Sequence, residues 1–172
     1  LIDRWGLMQN AQSENVQEHT MQVALIAHAL CIIRNTYYRG QVNADKAAVI
    51  ALFHDASEII TGDMPPPVKY FDEDIVSAYK HLEEIANRKI LSMLPEKMRP
   101  LYEPCFFQNG ENEQEFRIVK AADKLCAYTK CLEEIKAGNL EFRSAAATTL
   151  EALEKMAESA QMPEIRFFLE HF

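Results

Sequence analysis

Four ionisable residues lie at positions where the spacing of the surrounding apolar residues predicts the inside of a helical protein. They are His19, the adjacent pair His54 and Asp55, and Asp123. Asp123 falls on an apolar stripe with helical spacing, so its carboxylate is expected to point inward. An unpaired, ionised carboxylate in such a place costs several kcal/mol or more. It therefore needs a cation, a proton or a metal ion as its partner.

Donor groups also crowd together at the end of the third predicted helix. At about 100° per residue, His54, Asp55 and Glu58 fall within roughly 100° of arc. With His19 and Asp123 they supply two imidazoles and two carboxylates that suit a divalent ion such as zinc, cobalt, manganese, iron or nickel. The sequence contains no HExxH and no Glu-x-x-His motif, which disfavours a zincin protease and a ferritin-like di-iron site.

Taken singly, several of these residues also have a structural explanation. His19 alone is more often a hydrogen-bonded core histidine. Asp123 can pair with Lys120, with Lys124 or with an arginine from another helix. Asp63 follows a glycine turn, where an acidic residue is often simply solvated.

The elements that must position these groups are all predicted to be helices, because no long stretch alternates with period 2. The predicted helices cover residues 3–8, 14–35, 44–61, 73–94, 97–102, 113–137 and 141–160, with a last one from Pro163. Ser13, Asn43 and Asp72 are the expected N-caps, and Pro65–Pro67 is expected to form an extended connector. The sequence thus predicts an all-α, single-domain helical bundle over residues 1–172.

Composition limits the possible partners. The 172 residues include 18 Lys plus Arg and 26 Asp plus Glu, a net charge of −8 with neutral histidine. This disfavours a nucleic-acid polymer or an anionic membrane, since both reward a basic surface. The longest apolar run, Val23–Ile33, is too short to span a bilayer. The four cysteines form no CxxC pair, which disfavours a zinc ribbon, and nothing requires an oxidising compartment. We therefore expect a cytoplasmic protein.

The order of the four donors, on successive helices, resembles the H…HD…D signature of the HD-domain metal-dependent phosphohydrolases. The wider text is more specific: RW at 4–5, ENVxEH at 14–19, HDASExxTGDxP at 54–65, PVKYF at 67–71 and ADxLCAYxKCLEE at 122–134. These motifs are similar to the bacterial 5'-deoxynucleotidase branch of that superfamily. The similarity runs from the first residues to beyond Glu134 and weakens after about residue 150.

This resemblance implies hydrolysis of deoxyribonucleoside 5'-monophosphates to deoxynucleoside and phosphate. It implies one divalent metal ion (Co, Mn, Zn, Fe, Ni or Mg), with the ligands His19, His54, Asp55 and Asp123. Glu58 would orient or deprotonate the attacking water, and Asp63 would protonate the leaving 5' oxygen. The implied substrate contacts are Arg4, Trp5, His19, Asp55, Asp63, Met64, Pro65, Pro66 and Asp123.

Within that set, Arg4 resembles the arginine that contacts the substrate, and Trp5 the residue that selects deoxyribose by filling the space of a 2'-hydroxyl. Each has a simpler explanation, a surface ion pair for Arg4 and a core anchor for Trp5. Pro66 departs from the family pattern, which often has threonine there, so that a hydroxyl donor is missing.

Two other functions remain open from the sequence. One is an HD-type phosphodiesterase or pyrophosphohydrolase acting on another nucleotide; the other is a metal-binding module without catalysis. Apolar residues near Phe106, Phe107, Phe167 and Phe168, expected to be exposed, suggest the surface of a homodimer.

Overall fold

A computed structural model describes residues 2–159 and 161–172. In this part of the chain nine helices follow one another: α1 Val16–Tyr37, α2 Ala44–Phe53, α3 Glu58–Thr61, α4 Pro66–Lys69, α5 Glu73–Ser92, α6 Arg99–Phe106, α7 Glu113–Lys136, α8 Phe142–Ser159 and α9 Pro163–His171. The extended backbone pairing within these residues is a single isolated antiparallel bridge between Asp3 and Asn15. The predicted all-α fold is confirmed.

Side-chain caps determine where the long helices begin. Asn43 and Asp72 accept hydrogen bonds from the backbone at the starts of α2 and α5, as predicted. The predicted cap of α1 is wrong. Asn15, not Ser13, accepts the backbone hydrogen bonds there, and the Glu18 carboxylate accepts one from Asn15 N to complete a capping box. Loss of such a cap typically costs about 1 kcal/mol.

A predicted helix and a predicted connector are also wrong. Residues 3–8 form no helix: Asp3 pairs with Asn15, and Trp5 has a φ of 62°. Pro66 begins the short helix α4 instead of continuing an extended connector. Proline fits there because the first turn of a helix needs no backbone donor, and its fixed φ is already helical.

The third predicted helix is broken next to the candidate site. α2 ends at Phe53, residues 54–57 form a turn, and the chain resumes helical structure in α3. Gly62 then ends α3 with a φ of 72°, a left-handed conformation that glycine adopts readily. The predicted end near residues 61–62 is correct, whereas the break before it was not predicted.

α1, α2 and α7 contact one another and form the centre of the bundle, which α8 and α9 cover from one side. Val23, Leu30, Ile50 and Leu125 are almost fully buried between these helices. By length and composition alone α1 is apolar enough to cross a membrane. Core helices of soluble proteins pass the same test, and α1 packs against α2, α7 and α9 as a central helix does.

The four phenylalanines expected to form an exposed surface do not do so. Phe106 is buried, and Phe107 and Phe168 are half-buried. Phe167 stacks on Tyr37 with ring centroids 4.6 Å apart. Phe106 is thus covered by its own fold, whereas the other three rings are only partly covered.

A buried ion pair on α7 fastens the N-terminal segment to the bundle. Glu134 accepts hydrogen bonds from Lys130 Nζ (2.6 Å), Ala11 N (2.7 Å), Asn139 Nδ2 (2.9 Å) and Gln12 N (3.1 Å). Burial raises the pKa of Glu134, but these donors outweigh it and lower the pKa from 4.5 to about 2. The carboxylate is therefore charged in the folded protein at all ordinary pH values.

Removal of this carboxylate should change stability in a pH-dependent way. Because its pKa is lower in the folded than in the unfolded chain, its contribution is complete above about pH 4.5 and disappears as the pH falls toward 2. Glu134→Ala leaves Lys130 buried without its partner and should cost about 3–5 kcal/mol at neutral pH. Urea unfolding of wild type and variant across this range measures the difference.

The matched control is Glu133→Ala, which removes an exposed carboxylate from the same helix. Its cost should stay within about 0.5 kcal/mol, as for ordinary surface changes. Equal losses for the two variants, or a loss at Glu134 that does not shrink in acid, would contradict the assignment.

Candidate active site

The metal ligands predicted from the sequence come together where α1, the end of α2 and α7 meet. One donor atom each from His19, His54 and Asp123 lie within 4.8 Å of one another. His19 Nε2 is 3.1 Å from Asp123 Oδ1 and 3.7 Å from Asp55 Oδ2. His54 Nε2 is 3.1 Å from the same Asp55 oxygen. With metal–ligand bonds of about 2.0–2.2 Å, ligands of one ion lie about 3 Å apart, so these spacings fit a shared cation.

The imidazole nitrogens that face this cluster form no hydrogen bonds with the described residues. Both ring nitrogens of His19 and Nε2 of His54 are buried and lack a partner of hydrogen-bond geometry in the described part of the chain. His54 Nδ1 lies 2.7 Å from the carbonyl oxygen of Ala51. A carbonyl only accepts, so Nδ1 carries a proton, and Nε2 is the nitrogen that would present a lone pair to a bound cation. His19 is thus not a satisfied core histidine, and the donor set fits a divalent ion.

Electrostatics keep the carboxylates of Asp55 and Asp123, the two predicted oxygen ligands, ionised. Burial favours the neutral form of Asp55, but His54 and His19 outweigh it and lower the pKa. The Asp123 side chain is 42% exposed, and the partial desolvation of its carboxylate is likewise outweighed by His19, His54 and Arg4, which lower its pKa. Burial disfavours charge on His54, yet the adjacent carboxylates raise its pKa to about 9. A divalent cation would replace that proton between imidazole and carboxylate.

Two further carboxyl groups, predicted to be catalytic, lie near the cluster. Glu58 begins α3 and is buried, and its Oε2 has no hydrogen-bond partner among the described residues. Burial and the charges of Asp55 and Asp63 raise the pKa of Glu58 to about 8. Burial also raises the pKa of Asp63, against the charge of Arg4. Carboxyl groups shifted upward in this way are suited to proton transfer near neutral pH.

A cleft of about 610 Å³ opens beside Asp123, within the size range of small-molecule sites. The N-terminal segment, the loop before α4, and helices α7 and α8 form its walls. Six predicted substrate residues line it: Arg4, Trp5, Asp63, Pro65, Pro66 and Asp123. His19 and Asp55 lie in the neighbouring cluster of predicted metal ligands, and Met64 is not among the residues that line the cleft.

Arg4 and Trp5 reach the cleft through contacts that the sequence did not reveal. Arg4 is 13% exposed and donates to Asp55 Oδ2 at 3.4 Å, so it is not a surface ion pair. Trp5 packs on the buried Phe142, with ring centroids 5.2 Å apart, and also lines the cleft. Both side chains donate to Glu14. Sequence reasoning missed Glu14 as a site residue; its one signal is its place in the ENVxEH motif.

The fold places the chain in a known class. An HD-domain phosphohydrolase from Listeria innocua matches it with a TM-score of 0.85 at 25% identity, over 99% of this chain and 81% of that one. A conserved hypothetical protein from Pyrococcus furiosus has the same fold, with a TM-score of 0.66 at 23% identity over 96% of this chain and 91% of its own. The helical fold and the H…HD…D arrangement define the HD-domain phosphohydrolases, a fold that implies a divalent metal ion.

Sequence relatives narrow this class to one family. A family model described as 5'-deoxynucleotidase YfbR-like matches residues 1–172. A 5'-deoxynucleotidase of Klebsiella pneumoniae is 48% identical over 172 residues, which is all of this chain and 84% of that protein. The 5'-deoxynucleotidase YfbR of Salmonella paratyphi B gives the same identity and coverage. The chain belongs to the YfbR-like 5'-deoxynucleotidase family, as the resemblance predicted.

Asp123→Ala should weaken metal binding more than it weakens folding, because it removes a predicted anionic ligand whose side chain is 42% exposed and contributes little to the packing of the core. Loss of an outer-sphere partner alone lowers metal affinity by about 10–100-fold, so loss of a ligand should exceed that. The melting temperature of the metal-free protein should change little. Elemental analysis after loading with Mn or Co, together with thermal melts, measures both effects, with Glu133→Ala as control. Metal content equal to that of wild type would contradict the ligand assignment.

Proposed function

We propose that this protein is a metal-dependent phosphomonoesterase that hydrolyses deoxyribonucleoside 5'-monophosphates to deoxynucleoside and phosphate. The observation that carries the proposal is the position of the four predicted metal ligands beside a cleft lined by Arg4, Trp5 and Asp63. A phosphate bound next to the ligands would leave the rest of the cleft for sugar and base. The names of the family's curated members support the same substrate class.

His19, His54, Asp55 and Asp123 are the proposed ligands of one divalent ion. Their mixed nitrogen and oxygen donors accommodate Co, Mn, Zn, Fe, Ni or Mg. When bound, such an ion lowers the pKa of water toward neutrality and offsets the negative charge of the phosphate. The chain's own residues then have to orient the substrate and move two protons.

Glu58 is the proposed acceptor of the proton from the attacking water. Its buried Oε2 has no other partner in the described chain, so it is available to a water molecule in the cluster. Burial and two neighbouring carboxylates raise the pKa of Glu58 to about 8, and a cation nearby would lower it. A base with a pKa near the working pH both ionises and accepts a proton efficiently.

Asp63 is the proposed proton donor to the leaving group. As the water oxygen bonds to phosphorus, the bond between phosphorus and the 5' oxygen breaks, and that oxygen needs a proton. Asp63 lines the cleft, and burial raises the pKa of its carboxyl group, which favours the protonated donor form.

The remaining cleft residues supply orientation and selectivity. The planar guanidinium of Arg4 offers several donors to phosphate oxygens. Trp5 is proposed to fill the space that a 2'-hydroxyl would need. Pro65 and Pro66 add apolar surface to the same wall, and Pro66 lacks the hydroxyl that threonine would supply. Met64, which is not in the lining, is proposed to act through the backbone of this loop.

We further propose that residues 1–172 work as one cytoplasmic unit without a nucleic-acid or membrane partner. The thiols of Cys31, Cys105, Cys126 and Cys131 are all free, as is usual in a reducing compartment. A homodimer is also proposed. Among the exposed apolar side chains available to a second copy are Met21, Leu25 and Ile32 of α1 and Val49 and Leu52 of α2.

A substrate panel tests the proposed function. The metal-loaded enzyme should release phosphate from dAMP and dTMP with a kcat/KM about 10²-fold above that for AMP, the discrimination typical of a pocket that rejects one extra hydroxyl. Absence of phosphate release from every deoxynucleotide would contradict the proposal. Turnover of a cyclic or pyrophosphorylated nucleotide instead would favour the phosphodiesterase or pyrophosphohydrolase alternative.

Glu58→Gln tests the proposed base without changing the shape of the side chain. Because the amide cannot accept the proton of the water, kcat should fall by about 10²–10⁴-fold. Metal content should stay at the wild-type level, since Glu58 is not a proposed ligand. Phosphate release and elemental analysis on the same preparation measure both quantities. An unchanged kcat would overturn the role of Glu58, and a loss of metal would make it a ligand instead.

A further inference from the structure

Glu14 lies behind the cleft wall, outside the predicted ligands and catalytic groups. Its side chain is only 8% exposed. Its Oε2 accepts a hydrogen bond from Arg4 Nε at 3.1 Å and a second from Trp5 Nε1 at 3.0 Å. One carboxylate oxygen therefore holds both the residue proposed to meet the phosphate and the residue proposed to meet the sugar.

The backbone explains why this acceptor stands opposite both donors. Arg4 N donates to Glu14 O, and Val16 N donates to Ile2 O, each at 2.9 Å. These bonds flank the bridge between Asp3 and Asn15 and fix the register of the two segments. The Glu14 carboxylate consequently faces the side chains that follow residue 3.

Trp5 needs external support for its orientation. Its φ of 62° is in the left-handed region, which a bulky residue rarely adopts and which persists only where the surroundings determine it. The ring packs on Phe142, with centroids 5.2 Å apart, and the Trp5 carbonyl accepts a hydrogen bond from Met8 N. The indole N–H donates to Glu14, so loss of Glu14 removes the polar contact that fixes the direction of the ring.

Several carboxylates attract the guanidinium of Arg4 at the same time. The carboxylates of Asp123, Asp55, Glu14 and Asp63 all act on its guanidinium, and its Nη1 already lies 3.4 Å from Asp55 Oδ2. Glu14 binds Nε, at the near end of the group. With Nε bound to Glu14, the terminal nitrogens of the guanidinium can point to the cluster of predicted metal ligands while Nε stays outside it.

We propose that Glu14 is a positioning residue that fixes Arg4 and Trp5 relative to each other, so that phosphate orientation and deoxyribose selection depend on one carboxylate. The inference rests on the proposed function and adds to it a residue that touches neither metal nor substrate. Phosphate orientation and deoxyribose selection should therefore be lost together when Glu14 is removed.

The test compares Glu14→Ala and Glu14→Gln with wild type in the metal-loaded full chain. Glu18→Gln is the matched control, because it removes the charge of an exposed carboxylate from the neighbouring turn, keeps an acceptor for Asn15 N and does not touch Arg4 or Trp5. The main readout is the ratio of kcat/KM for dAMP to that for AMP. A merely structural role does not move this ratio, since a smaller folded fraction lowers both rates equally.

Glu14→Ala should lower kcat/KM for dAMP by about tenfold or more, as expected for lost hydrogen bonds to a charged group, and should bring the ratio toward one. Glu14→Gln keeps an acceptor for Trp5 but loses the charge that binds Arg4. It should therefore lower the rate while retaining most of the ratio. Glu18→Gln should leave the ratio at the wild-type value, and all variants should keep their metal.

Trp5 is the sole tryptophan of the chain, so its fluorescence provides a readout independent of activity. Glu14→Ala should shift the emission maximum to longer wavelength and increase quenching by acrylamide, whereas Glu18→Gln should change neither. A wild-type rate ratio in Glu14→Ala overturns the inference, whether or not the emission moves. If the wild-type enzyme hydrolyses no deoxynucleotide, the proposed function is wrong. This outcome is distinct from failure of the Glu14 inference, because it is seen in the wild type and not only in the variants.

Discussion

Two buried imidazoles and two ionised carboxylates face one another at the junction of α1, α2 and α7, and the rest of the structure serves to keep them there. Their nearest atoms are 3.1 Å apart, yet the imidazole Nε2 atoms form no hydrogen bond within the described chain. Buried polar groups in this state are costly. A divalent cation would satisfy all four proposed ligands at once, and this would explain why a helical core with residues such as Val23 and Leu125 tolerates them.

The same cation reconciles the charge of the chain with its proposed substrate. A net charge of −8 opposes the approach of a phosphate ester, but most of the acidic residues are exposed and lie outside the site. Asp55, Glu58, Asp63 and Asp123 form a separate group around the site, where Arg4 is held among carboxylates. A bound divalent ion, assisted by Arg4, would offset most of this local negative charge. Local charge, and not the total, decides which anion binds.

Helical periodicity was sufficient to predict the bundle and to bring His19 and Asp123 onto inward faces, because spacing along a helix fixes direction. It failed where tertiary contacts decide the backbone. The left-handed Trp5 and the bridge of Asp3 with Asn15 depend on a segment ten residues away, so residues 3–8 were wrongly predicted to be helical. The role of Glu14 was hidden for the same reason, since both of its partners lie across that bridge.

The central claim is that one divalent ion at these four ligands enables hydrolysis of a deoxynucleotide. Its most direct test is a titration of chelator-stripped protein with Mn or Co while phosphate release from dAMP is measured. The account predicts negligible release without metal and a rate that rises linearly and saturates at one ion per chain. Full activity of the stripped protein, or metal binding at these residues without any phosphate release, would contradict it.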